Sequence, residues 1–131
     1  MKKLVSLAMA LCLLVSLASF AVAEEANPFA ELTFEKTEYN LVFIPKLVHE
    51  WYEDVRLGID QAIAELAEKG ITVNYTWDAP ADAIVTDQIA KIEAAAANLP
   101  DAISVAVIDP SAETAVINEL MAAGIVMATF D

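Results

Sequence analysis

From Tyr39 onward the apolar positions change their spacing in a regular cycle. Tyr39 to Ile44 is a short apolar run stopped by Pro45, which predicts a buried strand. Between Trp51 and Lys69 the apolar residues fall at Val55, Ile59, Ala62, Ile63 and Leu66. Those steps of three and four make one face of a helix, and Gly70 stops it. Ile71 to Thr76 alternates and is rich in β-formers, so it predicts a second strand. Val85, Ile89, Ile92, Ala96 and Leu99 then mark a second helix, ended by Pro100 and Asp101. Ile103 to Ile108 predicts a third strand, continuous enough to be buried on both faces. Asp109-Pro110 has the form of a helix cap with proline in the first turn. Val116, Ile117, Leu120 and Met121 line the helix that follows, Gly124 closes it, and Ile125 to Phe130 is a fourth strand. The order β-α-β-α-β-α-β predicts an α/β fold: a parallel sheet with helices on both faces and right-handed crossovers.

The beginning of the chain obeys a different rule. Lys2 and Lys3 precede an uncharged stretch from Leu4 to Phe20, and Ala21-Val22-Ala23 ends it just before Glu24. This is the three-part pattern of a secretory signal peptide, cut after Ala23, and it predicts export to the periplasm. The domain reading is therefore 1–23 signal peptide, 24–38 a polar lead-in containing Pro28, and 39–131 the folded part. Cys12, the one cysteine of the sequence, lies inside the removed part. The exported chain thus has no disulfide, and Leu11 before Cys12 does not fit a lipidation site.

Charge narrows the partners. Losing Lys2 and Lys3 takes two positive charges from the net −13 and leaves −15. A surface so acidic repels nucleic acid, which is excluded as a partner.

Open parallel sheets bind ligands beyond the carboxyl ends of their strands. In this chain those ends are Pro45 to Tyr52, Trp77 to Asp82, Asp109 to Ser111, and Asp131. The first is the richest, with Lys46, His49, Trp51 and Tyr52. A sugar ring has an apolar C–H face and a rim of hydroxyls, so it is matched by an aromatic platform and a few fixed polar groups. Lys46 offers three donors, and His49 one donor and one acceptor. Asp131 can accept hydrogen bonds from two neighbouring hydroxyls. Lys46, His49, Trp51, Tyr52 and Asp131 are therefore the candidate ligand-binding residues. Three of them have a plainer alternative: a core aromatic for Trp51 and Tyr52, a turn residue for Asp131. Asp109 is assigned to helix capping.

Catalytic patterns are missing. There is no Gly-x-Ser-x-Gly and no glycine-rich phosphate loop, and the chain has three glycines in all. One histidine and no cysteine after residue 23 do not make a zinc site. The reading is no enzyme, no cofactor and no metal.

These residues resemble a known family. Tyr39 to Asp131 is similar to the first lobe of periplasmic sugar-binding proteins of the ribose-binding type. In that family a first strand ends in a polar loop, and two adjacent aromatics open the first helix, as Trp51 and Tyr52 do here. His49 stands where many members carry asparagine, and Glu50 departs from the proline common there. Phe43-Ile44-Pro45-Lys46-Leu47-Val48 resembles the branch that includes autoinducer-2 and rhamnose binders, in which the lysine equivalent to Lys46 contacts the ligand. Gly124 to Asp131 resembles the family's fourth strand, whose terminal aspartate binds ligand hydroxyls. The resemblance implies a periplasmic-binding-protein type I lobe, truncated, belonging to a two-lobed protein that traps its ligand between the lobes. It implies the substrate-binding component of an ABC transporter, with a sugar or polyol ligand and a membrane permease as partners. A receptor for an autoinducer-like signal is the alternative on the same fold, and a secreted α/β enzyme is the alternative from another class.

Overall fold

The structure is a computed structural model, and it describes residues 32–131. The predicted signal peptide, and the lead-in as far as residue 31, lie outside the described residues. Within the compact unit Phe34–Asp131 the predicted alternation is present: β1 (Glu38–Ile44), α1 (Glu50–Glu68), β2 (Thr72–Trp77), α2 (Val85–Ala96), β3 (Ala102–Val105), α3 (Pro110–Ala122) and β4 (Val126–Thr129). The strands form one sheet in the order β2-β1-β3-β4, and every pairing is parallel.

Register assigns the side chains to two faces. Phe43 pairs with Trp77 on one side and with Ser104 on the other, and Ser104 pairs with Ala128. Successive residues of a strand point to opposite faces. Phe43, Tyr75, Trp77 and Ser104 therefore share one face, and Val42, Ile44, Ile103, Val105 and Met127 share the other. The second face carries the aliphatic core: Ile44, Ile103 and Val105 from strands, Ile92 and Ala96 from α2, and Ile125 before β4. Val116 and Leu120 of α3 pack against it. The first face receives α1, whose Asp60 accepts a hydrogen bond from Tyr75 at 2.7 Å. Helices thus cover both faces.

Local chemistry ends α1 and α3 as the sequence predicts. Gly70 and Gly124 follow α1 and α3 with φ of 78° and 94°, a backbone state that glycine enters without a Cβ clash. Asp109 caps α3, accepting from Ser111 N at 2.8 Å, with Pro110 in the first turn.

Four expectations are corrected. The third strand stops at Val105 rather than Ile108, because the Ile108 N–H bonds to the side chains of Gln88 and Glu113 instead of a neighbouring strand. Nor is it buried on both faces: Ile103 and Val105 are fully buried, while Ala102 and Ser104 are half-buried on the side where no helix follows β3. Leu99 lies outside α2 and is 81% exposed, in the left-handed region at φ 50°. Met121, placed on the lining of α3, is exposed as well.

Candidate functional site

The connections leave β1 and β3 on different sides of the sheet. From β1 the chain passes to α1 and the edge strand β2; from β3 it passes to α3 and β4. The gap between the carboxyl ends of β1 and β3 is therefore the topological switch point, where open α/β sheets leave room for a ligand.

Three of the five predicted residues meet there. Tyr52 donates its hydroxyl to Asp131 Oδ2 at 2.8 Å, and Lys46 Nζ lies 3.1 Å from the same oxygen. Tyr52 and Asp131 are 79 residues apart in sequence. The side chains of Lys46 and Asp131 are 31% and 36% exposed, so the pair is open to a solute. Burial pushes the Tyr52 hydroxyl up from 10.0 to about 12, and its bond to the carboxylate adds to the shift. The Tyr52 hydroxyl, and then the Lys46 ammonium, hold Asp131 below the usual carboxylate range. Asp131 takes a left-handed φ of 65°, which aspartate tolerates better than most residues.

The other two occupy the entrance to α1. His49 is the N-cap: its Nδ1 accepts from Trp51 N at 3.1 Å, which fixes the ring. Trp51 packs edge-on against Tyr52 at 4.9 Å and remains 49% exposed. Tyr52 is 4% exposed, so of the two aromatics only Trp51 keeps a face open, and Tyr52 contributes a hydroxyl.

Sequence reasoning missed the floor under these groups. Trp77 and Phe130 lie 6.4 and 6.2 Å from the Tyr52 ring, and Phe43 lies 6.4 Å from both. The Arg56 guanidinium stands 5.8 Å from the Trp77 ring. A usable signal existed: Phe43, Trp77 and Phe130 are aromatics at or beside the carboxyl ends of three predicted strands. The rim is held by backbone bonds, Val48 N to Pro80 O at 3.0 Å and Asp78 N to Phe43 O at 2.9 Å, and by the Lys91–Asp78 ion pair. Beside Asp131, between β4 and α3, a concavity of about 460 Å³ is lined by Val107, Pro110, Thr114, Thr129 and Phe130 among others.

The arrangement offers one anionic acceptor, one ammonium, one phenol and one open indole face. Among the described residues no group of three or more His, Cys, Asp or Glu side chains could hold a metal ion.

Comparison with known proteins agrees with this fold. A family model for the periplasmic binding protein domain matches residues 41–131. Among curated proteins no match is found. An ABC transporter solute binding protein from Burkholderia graminis, in complex with D-arabinose, superposes with a TM-score of 0.65 at 23% identity, over 75% of this chain and 32% of its own. A solute binding protein from Agrobacterium vitis, bound with α-D-tagatopyranose, gives 0.61 at 26% identity, over 71% and 30%. A sugar-binding protein of a sugar ABC transporter from Bacillus halodurans gives 0.59 at 26% identity, over 73% and 31%. The chain spans about a third of the length of these solved relatives. With the family model covering most of the sequence and the parallel sheet in place, the chain belongs to the periplasmic binding protein domain family, a family of extracytoplasmic solute-binding proteins and not of enzymes.

Proposed function

We propose that this chain is part of the substrate-binding component of an ABC importer, which captures a sugar or sugar-like small molecule and delivers it to a membrane permease. The observation that carries the reading is the meeting of Lys46, Tyr52 and Asp131 at the switch point, with the open face of Trp51 beside them. Both contacts to Asp131 fall on Oδ2, so Oδ1 keeps its acceptor capacity for a ligand hydroxyl. The Tyr52 hydroxyl, and then Lys46, favour the ionised carboxylate, and Lys46 has donors to spare for a ring or hydroxyl oxygen. Trp51 supplies the flat surface for the C–H face of a sugar. His49 contributes as the cap that sets the direction of Trp51. The tagatose bound by the Agrobacterium vitis protein makes ketohexoses and related sugars the first ligands to try. Export by a signal peptide over residues 1–23 puts the protein in the periplasm, and mass spectrometry of periplasmic material then finds an N-terminus at Glu24; a retained Met1 contradicts it.

The test of binding is calorimetric titration of the full-length protein against D-tagatose, D-arabinose, other pentoses and hexoses, polyols and autoinducer-2. Asp131→Asn keeps the shape but removes charge-assisted bonds, and lowers affinity for the best ligand by about 1.5–3 kcal/mol. Equal affinity in parent and variant would show that Asp131 is structural and the reading wrong.

A further inference from the structure

Gln88 is a polar residue on the buried stripe of α2, one turn before Ile92, and it is 0% exposed. An amide so placed must find its partners inside the protein. It finds three. Nε2 donates to Pro45 O at 3.1 Å and to Ala106 O at 2.9 Å, and Oε1 accepts from Ile108 N at 3.1 Å. All three are backbone groups just past the ends of β1 and β3. There the two strands diverge, one leading to α1 and one to α3, and Ala106 N to Ile44 O at 2.9 Å is the last rung between them. Backbone groups that a ladder drops still need partners when they are buried. Gln88 supplies them from below, across the switch point. Glu113, also 0% exposed, holds the β3 side a second time, accepting from Ile108 N at 3.2 Å and Asp109 N at 3.1 Å. Pro45 is joined directly to Lys46, whose ammonium lies 3.1 Å from Asp131.

We propose that Gln88 is a positioning residue of the ligand site: by tying the Pro45 carbonyl to the Ala106–Ile108 segment, it sets the direction in which Lys46 leaves β1 and hence where the ammonium stands relative to Asp131. The proposal rests on the reading of Lys46 and Asp131 as ligand groups. Gln88 itself touches no ligand, since it is fully buried and its amide is spent on the backbone. Methionine has nearly its length and volume but leaves the Pro45 and Ala106 carbonyls without their donor, while the Ile108 N–H keeps Glu113, so the Pro45–Lys46 turn must shift to find water.

The experiment is a double-mutant cycle in the full-length protein. It is read as affinity for whichever of D-tagatose, D-arabinose and autoinducer-2 binds the parent most tightly. Gln88→Met, Lys46→Met and their combination are compared with Ile92→Val, a control that loosens the same helix without touching the turn. Gln88→Met weakens binding about tenfold or more in the parent, and less than about twofold once Lys46 is methionine, because no ammonium is left to misplace. Ile92→Val lowers the melting temperature and leaves affinity unchanged. If Gln88→Met does not fold, Gln88→Asn, with the amide one methylene short, goes through the same cycle. Losses that multiply in the combined variant, or an equal loss in Ile92→Val, overturn the positioning role and leave the ligand site standing. Full affinity in Lys46→Met overturns the ligand site, and the proposal with it.

Discussion

Phe43 and Ile44 are consecutive residues of one strand, yet they belong to different parts of the molecule. Ile44 points into an aliphatic layer with Ile92, Ile103 and Val105, where every one of these side chains is 0% exposed. Phe43 points into an aromatic layer with Trp77 and Phe130, next to the hydroxyl of Tyr52 and the half-open ring of Trp51. Aliphatic packing is dense and nearly non-directional, and it serves stability. Aromatic rings bury area too, but their polar edges and tips can end at water, which suits a surface that must meet a solute. The difference teaches that a period-two strand can divide labour between its faces, one for holding the sheet and one for presenting groups at its carboxyl end.

The largest expected effect lies on the aliphatic face. Ile103→Ala removes a fully buried side chain and leaves a cavity, at a cost of about 2–5 kcal/mol in stability. Urea unfolding checks it. The comparison predicts unchanged ligand affinity in the folded fraction, and a large affinity loss would erase the division of labour. Next comes Trp51→Ala, which gives the reverse result: an affinity loss of about 2–4 kcal/mol with little change in the melt, since the ring is half exposed. A variant that melts early but binds normally would make Trp51 a packing residue.

The pH dependence is the smallest effect and the sharpest. The Tyr52 hydroxyl titrates near 10.0 when unfolded and at about 12 when folded. The folded state holds that proton more tightly. Its contribution is therefore complete below pH 10 and is lost as pH rises toward 12, on the order of 2–3 kcal/mol. Tyr52→Phe has no such limb, so the stability difference between parent and variant narrows across that window. A constant difference from pH 8 to 12 would show that the hydroxyl is not held by burial and Asp131.

The order of elements, the parallel sheet and the helix stops at Gly70 and Gly124 were legible because each depends on local spacing or on one residue's backbone freedom. Boundaries were less so. Leu99 fits the stepping pattern of α2 but lies beyond its end, and Ile108 fits an apolar strand but gives its N–H to Gln88 and Glu113. Gln88 shows why: a polar residue on an apolar stripe announces that something needs satisfying, while its partners lie 43 and 18 residues away.

For the candidate site, the sequence alone determined which residues stand at the carboxyl ends of strands, and so placed Lys46, His49, Trp51, Tyr52 and Asp131 on one rim. Only the tertiary structure decided how they divide. Tyr52 turns inward and offers a hydroxyl, Trp51 stays open, His49 caps a helix, and Lys46 and Asp131 pair. The physical reason is that periodicity assigns a side chain to a face of its own element. Which neighbour it meets there depends on strand order and register, here β2-β1-β3-β4, and that order is settled by packing two helices on one face of the sheet and one on the other.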